Sequence, residues 1–182
     1  MGAANPNPKP GLLFFGLLAG SAERLDEACD RLGREYGKII RRSEVIPFSH
    51  STYYEREMGS GLLRQWALSE KLIGQDEIVD IKLRTNTIED ELRPTGAGGR
   101  SVNIDPGYVT TAKVVLATTK DCSHRLYVGR GIYAEVTLAY RSAKQGFQPW
   151  PWTYPDHREA AAFGFFNAAR GEYLKRLKKQ GD

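Results

Sequence analysis

The stretch HRLYVGRGIYAEVTLAYR, residues 124–141, is two runs of alternating residues around Gly129-Arg130-Gly131. Glycine on both sides of one residue between such runs is a hairpin signal. Read as a three-residue loop, it sets Val128 against Ile132, Tyr127 against Tyr133, Leu126 against Ala134 and Arg125 against Glu135. The strand period of two then puts Leu126, Val128, Ile132, Ala134, Val136 and Leu138 on one face, assigned to the core. Arg125, Tyr127, Tyr133, Glu135 and Thr137 share the other face, as cross-strand pairs or as the floor of a polar pocket.

Outward from the hairpin, further strands are predicted near 101–105 and 112–119, which makes the second half β-rich. Between them, VNIDPGY (102–108) reads as a strand running into a type II turn, with Asp105 first and Pro106 and Gly107 in the centre. The connector FQPWPWTYPDHRE (147–159) leads to a final helix whose apolar stripe is Phe163, Phe166, Tyr173, Leu174 and Leu177. Asp156 and Glu159 have the spacing of its capping box.

In the first half, LLFFGLLA (12–19) is a fully buried strand, far short of the ~20 residues a membrane span needs. Ser21 caps a helix carrying Leu25, Ala28, Cys29, Leu32 and Tyr36 on one face, and Gly37 ends it. A strand from Lys38 to Phe48 completes a βαβ-like opening. Residues 49–61 read as a loop, 62–73 and 76–92 as helices, and TGAGGR (95–100) as a flexible loop. Residues 1–10 read as a disordered tail and 11–182 as one domain. The expected fold is a single-domain α+β two-layer sandwich: a mixed, mostly antiparallel sheet with helices packed mainly on one face.

Composition fits an ordinary globule, with 41% hydrophobic and 26% charged residues. A formal charge of +4 is mildly basic and admits a phosphorylated small molecule or RNA as partner. Cys29 and Cys122 have no C-x-x-C partner, which excludes a disulfide framework and a zinc knuckle; a cytoplasmic location without a membrane anchor is expected. GREYGKI (33–39) has three residues between its glycines, not four, and Ile39 where magnesium needs a hydroxyl, so it is no phosphate loop.

Several polar residues stand out. Asp105, His124 and Glu135 are the acid, base or ligand candidates. Arg125, Lys120, Arg130 and Arg141 offer positive charge, and Tyr133, Tyr108 and Trp152 stacking surfaces. Glu55 and Glu57 in YYEREMG (53–59), with Asp105 or Glu135, would suit a divalent cation such as magnesium.

YYEREMG, IKLRTNTIEDE (81–91), VNIDPGY, KVVLATTKDCSHRLYVGRGIYAEVTLAYR (113–141) and WPWTYPDHR (150–158) resemble the bacterial and archaeal family known as domain of unknown function 4416. The resemblance runs from about Leu12 to beyond Arg158. It implies that NIDPGY, HRLY and GIYAEV meet in one place. Some members carry a GTP-binding label, which this chain does not match with a phosphate loop. Three classes of function follow: a binding protein for a nucleotide, RNA or another phosphorylated ligand; a hydrolase or transferase working through Asp105, Glu135 and His124; and a non-catalytic assembly protein.

Overall fold

A computed structural model of the chain describes residues 8–51, 53–96 and 99–181, the side chains of 180 and 181 aside. Residues 1–7 of the expected tail, and 97 and 98 of the expected flexible loop, lie outside the described residues. Lys9 and Pro10 are held: their carbonyls accept from Gln75 and from the Tyr173 hydroxyl.

A nine-stranded sheet runs through the domain, with the order β2-β4-β1-β5-β6-β8-β7; β3 pairs with β4 and β9 with β8. The strands are β1 (Gly11–Ala19), β2 (Ile39–Arg42), β3 (Ile46–Pro47), β4 (Leu63–Ile73), β5 (Val102–Val109), β6 (Lys113–Thr118), β7 (Leu126–Gly129), β8 (Ile132–Arg141) and β9 (Gly146–Pro149). Every pairing between them is antiparallel. The helices are α1 (Ala22–Tyr36), α2 (Glu55–Met58), α3 (Ile78–Glu91) and α4 (Ala160–Gly181). This is the α+β fold expected. α1 and α3 pack with Leu13, Phe15 and Leu17 on one face, while Phe165, Phe166 and Tyr173 of α4 pack with Leu12, Phe14 and Trp66 on the other. The sheet is therefore covered on both sides, where helices mainly on one face were expected, because β1 is apolar on both its faces.

β1 is buried along its whole length, which explains its unbroken apolar run. α1 starts as predicted: the Ser21 hydroxyl accepts from Arg24 N–H at 3.4 Å, and Gly37 follows with φ 81°. The strand expected over 38–48 is interrupted, giving β2 and the two-residue β3.

The segment read as a helix over 62–73 is β4. It is a central strand between β1 and β2, so a short apolar run with both faces covered replaces the alternation that would have marked it. Because β1 and β2 both lie antiparallel to β4, they are parallel to each other with β4 inserted between them, so the βαβ-like opening is a split one.

The turn expected at Asp105-Pro106-Gly107 does not form; β5 runs straight through it. Ile104 bonds away from β1 through both its N–H and its C=O. By the strand period, the nitrogen of Pro106 points the same way, toward a stretch where β6 is not yet paired, so the missing N–H removes no ladder bond. Gly107 is required by close approach: a Cβ there would sit 2.3 Å from the Val115 carbonyl oxygen and 2.5 Å from the Phe14 ring.

The hairpin pairs Leu126 with Ala134 and Tyr127 with Tyr133 as read, but a bulge puts Gly129, not Val128, opposite Ile132. Leu126 and Val128 are 74% and 41% exposed and are not core residues. β7 is the last strand in the sheet order, and no element among the described residues covers the side chains that alternate along it. Asp156 does not cap α4 either. It sits in a 3-10 turn, Pro155–Arg158, and α4 begins at Ala160.

Candidate functional site

The face under α4 changes character along β1. Its cross-sheet rows run Leu72-Leu12-Val109, Leu68-Phe14-Gly107, Trp66-Gly16-Asp105 and Arg64-Leu18-Asn103. The first two rows are apolar, and α4 covers them and Trp66 of the third. The last two are polar. There the covering elements are the 3-10 turn at 155–158 and the segment around Phe48 and Tyr54, the latter anchored on Leu18 and Leu62. Gly16 has no side chain between Trp66 and Asp105, and an Arg64 terminal nitrogen lies 3.5 Å from where its Cβ would be.

The polar end is also where the sheet opens. β5 and β6 pair only from Gly107 to Val109, and before that they diverge. α3 fills the gap with side chains. Glu89 accepts from Ile104 N–H at 2.6 Å, and Lys82 donates to the Ile104 carbonyl at 2.8 Å. These are the two bonds an adjacent strand would have made, so the strand edge is satisfied without a strand. Lys82 and Glu89 are seven residues apart on α3, one helical face, and both are buried.

A cavity of about 170 Å³ lies over this opening, lined by five cations (Arg64, Lys82, Arg100, Lys120, Arg125) and three carboxylates (Asp105, Glu135, Asp156). Phe48, Tyr53, Tyr54 and Tyr154 supply apolar wall. Each carboxylate has a cation. Lys82 donates to Asp105 Oδ1 at 3.1 Å, and Asn103 donates to Oδ2 at 2.7 Å. Burial opposes the Asp105 charge, but Lys82 and Arg64 hold its carboxyl below the usual range. Arg125 Nε donates to Glu135 Oε2 at 2.8 Å; His124 is 3.1 Å from the same oxygen, and Thr137 donates to Oε1. The carboxylate is acceptor-only, so His124 Nε2 is the donor. Arg100 bonds Glu57, Glu89 and Asn103.

Two cations are less fully used. Arg64 is buried and its Nε lies 2.8 Å from Asp156 Oδ2, but off the hydrogen-bond direction, so neither atom has an aligned partner. Burial disfavours the Asp156 charge, yet His157 and Arg64 hold its carboxyl well below the usual range. Lys120 Nζ rests on the rings of Tyr53 and Tyr54, 3.6 and 4.9 Å from their centroids, with no carboxylate partner among the described residues. Burial lowers its pKa, Asp105 works against that, and Arg100, Arg125 and Lys82 add to the lowering. His157 has both nitrogens engaged, Nδ1 with Asp156 at 2.9 Å and Nε2 with the Trp66 indole N–H at 3.4 Å.

Of the residues singled out in the sequence, Asp105, Glu135, Arg125 and Lys120 meet at this cavity. His124 stands behind Glu135, stacked on Trp152, whose indole N–H donates to the Val136 carbonyl. Tyr108 is buried in the core on the opposite face, because β5 continues where a turn was expected. Tyr133 packs on Tyr127, Arg141 lies over Trp150, and Arg130 pairs with Asp80 at the exposed hairpin tip; none lines the cavity. Glu55 and Glu57, read as magnesium ligands together with Asp105 or Glu135, do not line the cavity that holds those two. Glu57 is paired with Arg100, Glu55 is exposed on α2, and no group of three His, Cys, Asp or Glu side chains among the described residues is placed to hold a metal ion. Sequence reading missed Arg64, Lys82, Glu89, Arg100, Asp156 and His157. Lys82 and Glu89 did leave a signal: two charges on the stripe that carries Ile81 and Ile88.

The family model described as domain of unknown function (DUF4416) matches residues 9–173. The chain belongs to that family. The match includes every residue that lines the cavity, from Phe48 to His157. Comparisons with curated proteins and with solved structures gave no match. No helix among the described residues is long and apolar enough to cross a membrane.

Proposed function

We propose that this protein binds a small phosphorylated molecule in the cavity over the β5–β6 opening. The observation that carries the reading is Arg64: a buried guanidinium, facing a cavity, whose one carboxylate contact among the described residues is misaligned. A buried cation with unused donors is costly unless something anionic completes it. Lys120 adds a second cation without a carboxylate partner among the described residues. The concave, buried setting favours a small molecule over an RNA strand, whose backbone needs an exposed basic track. About 170 Å³ is close to the space that takes a single six-membered ring, which suits a sugar phosphate or the phosphorylated end of a nucleotide. Acid–base catalysis has less support. Asp105 and Glu135 already have their carboxylate oxygens bonded to the protein, and His124 does not line the cavity. Two free cysteines suit a reducing compartment, and we place the protein in the cytoplasm.

Calorimetric titration with inorganic phosphate, ribose 5-phosphate and nucleoside monophosphates tests this. Arg64→Met should weaken the tightest of them roughly 10- to 100-fold, the worth of one charge-assisted hydrogen bond. Lys120→Gln, at a half-buried site, should weaken it while leaving the melting temperature near wild type. Absence of binding by all of them, or unchanged affinity in both variants, would overturn the reading.

A second reading, self-assembly, rests on β7, an end strand with Leu126, Tyr127 and Val128 all exposed. Light scattering that finds only monomer at micromolar concentration removes it.

A further inference from the structure

We propose that Lys120 is a carbonyl-capturing amine, forming an imine with a phosphorylated aldehyde or ketone whose phosphate is held at Arg64. The inference rests on the phosphate-binding reading and narrows it to a substrate class.

Among the described residues, Lys120 is the one cation lining the cavity without a carboxylate partner; Arg64, Lys82, Arg100 and Arg125 each have one. Its ammonium meets aromatic faces instead of acceptors. Burial and three neighbouring cations disfavour its charge, and Asp105 favours it. The rings of Tyr53 and Tyr54 also favour the charge. A lysine half removed from water and set among other cations is the arrangement that leaves an amine neutral enough to act as a nucleophile. The reaction balances without any oxidant or reductant. The amine nitrogen attacks the carbonyl carbon, the C=O π bond opens to a carbinolamine, and the oxygen then leaves as water with both amine hydrogens. Arg64 and Lys120 line one cavity, so an anion and a carbonyl a few bonds apart can be engaged together.

The test is reductive trapping with D-glyceraldehyde 3-phosphate and borohydride, followed by peptide mapping of the ten lysines. Lys120 should be labelled on the order of tenfold faster than the mean of the others, as an amine held partly out of water among other cations is the better nucleophile. Inorganic phosphate should protect it, and unphosphorylated glyceraldehyde should label it far more slowly. Lys120→Arg, which keeps the charge and the fold, should lose the fast label. Labelling spread evenly over surface lysines overturns the proposal. If phosphate still binds by calorimetry in that case, the binding reading stands alone. Fast labelling of Lys120 that phosphate neither slows nor competes with overturns the phosphate site and, with it, this substrate class.

Discussion

The replacement of a strand by two side chains of α3 can be tested through Glu89. Its Oε1 accepts from the buried Ile104 N–H at 2.6 Å, and its Oε2 from Arg100 at 2.9 Å. Glu89→Ala strands the Ile104 N–H in the interior, which costs roughly 1–3 kcal/mol. It also removes a charge-assisted bond worth about 1.5–3 kcal/mol, a loss softened because Arg100 keeps Glu57 and Asn103. The expected total is about 3–5 kcal/mol, or roughly 6–20 °C in melting temperature for a chain of this length. Glu89→Gln keeps an oxygen for Ile104 N–H. Burial raises the pKa of Glu89, so the neutral side chain also removes a desolvation penalty. That variant still loses the Arg100 bond but not the Ile104 one, so it should cost less than Glu89→Ala by about the 1–3 kcal/mol of the stranded N–H. The assay is urea and thermal unfolding of both variants, with hydrogen exchange at the Ile104 amide. Equal costs for the two, or an Ile104 amide as protected in Glu89→Ala as in wild type, would refute the view that α3 completes the strand edge.

Other consequences are equally concrete. Gly107→Ala should cost at least about 3 kcal/mol, since its Cβ would lie 2.3 Å from the Val115 carbonyl oxygen. Gly164→Ala, in α4 with nothing within 4 Å, should instead stabilise by about 0.5–1 kcal/mol, and denaturant titration separates the two signs. On acidification, Asp105 and Asp156, both with depressed folded-state pKa values, contribute stability that is full above about pH 4 and is lost as pH falls through those lower values. Glu89 has the opposite sign: its raised pKa erodes stability as pH rises past about 4.3, and Glu89→Gln should remove that slope in a pH series of melting curves. Burial pushes the Cys29 thiol up to about 11, while Cys122 is exposed, so a thiol reagent should find one fast site in the native protein and two after unfolding.

How much of this was legible in the sequence depends on the range of the interaction. Local rules carried α1, with its Ser21 cap and Gly37 stop, and α3, as well as the pairing of Tyr127 with Tyr133 and of Arg125 with Glu135 across the hairpin. Each is fixed by residues only a few positions apart, or by a tight turn that sets the register. β4 was misread because a strand covered on both faces loses its alternation, and coverage is a property of its neighbours. Pro106 and Gly107 were misread for the same reason. Their local chemistry suits a turn, yet the unpaired side of β5 tolerates the one and the crowding from Phe14 and Val115 demands the other.

For the site, the period of the hairpin put Arg125 and Glu135 on one face, while Asp105 and Lys120 were marked by residue type alone. Only the tertiary structure decided that Arg64, Lys82 and Arg100 join them, because these come from β4, from α3 across the opened sheet, and from the residues just before β5. Burial of charge is tolerable only where partners from distant segments converge, and that convergence does not exist until β5 and β6 part and α3 fills the space between them.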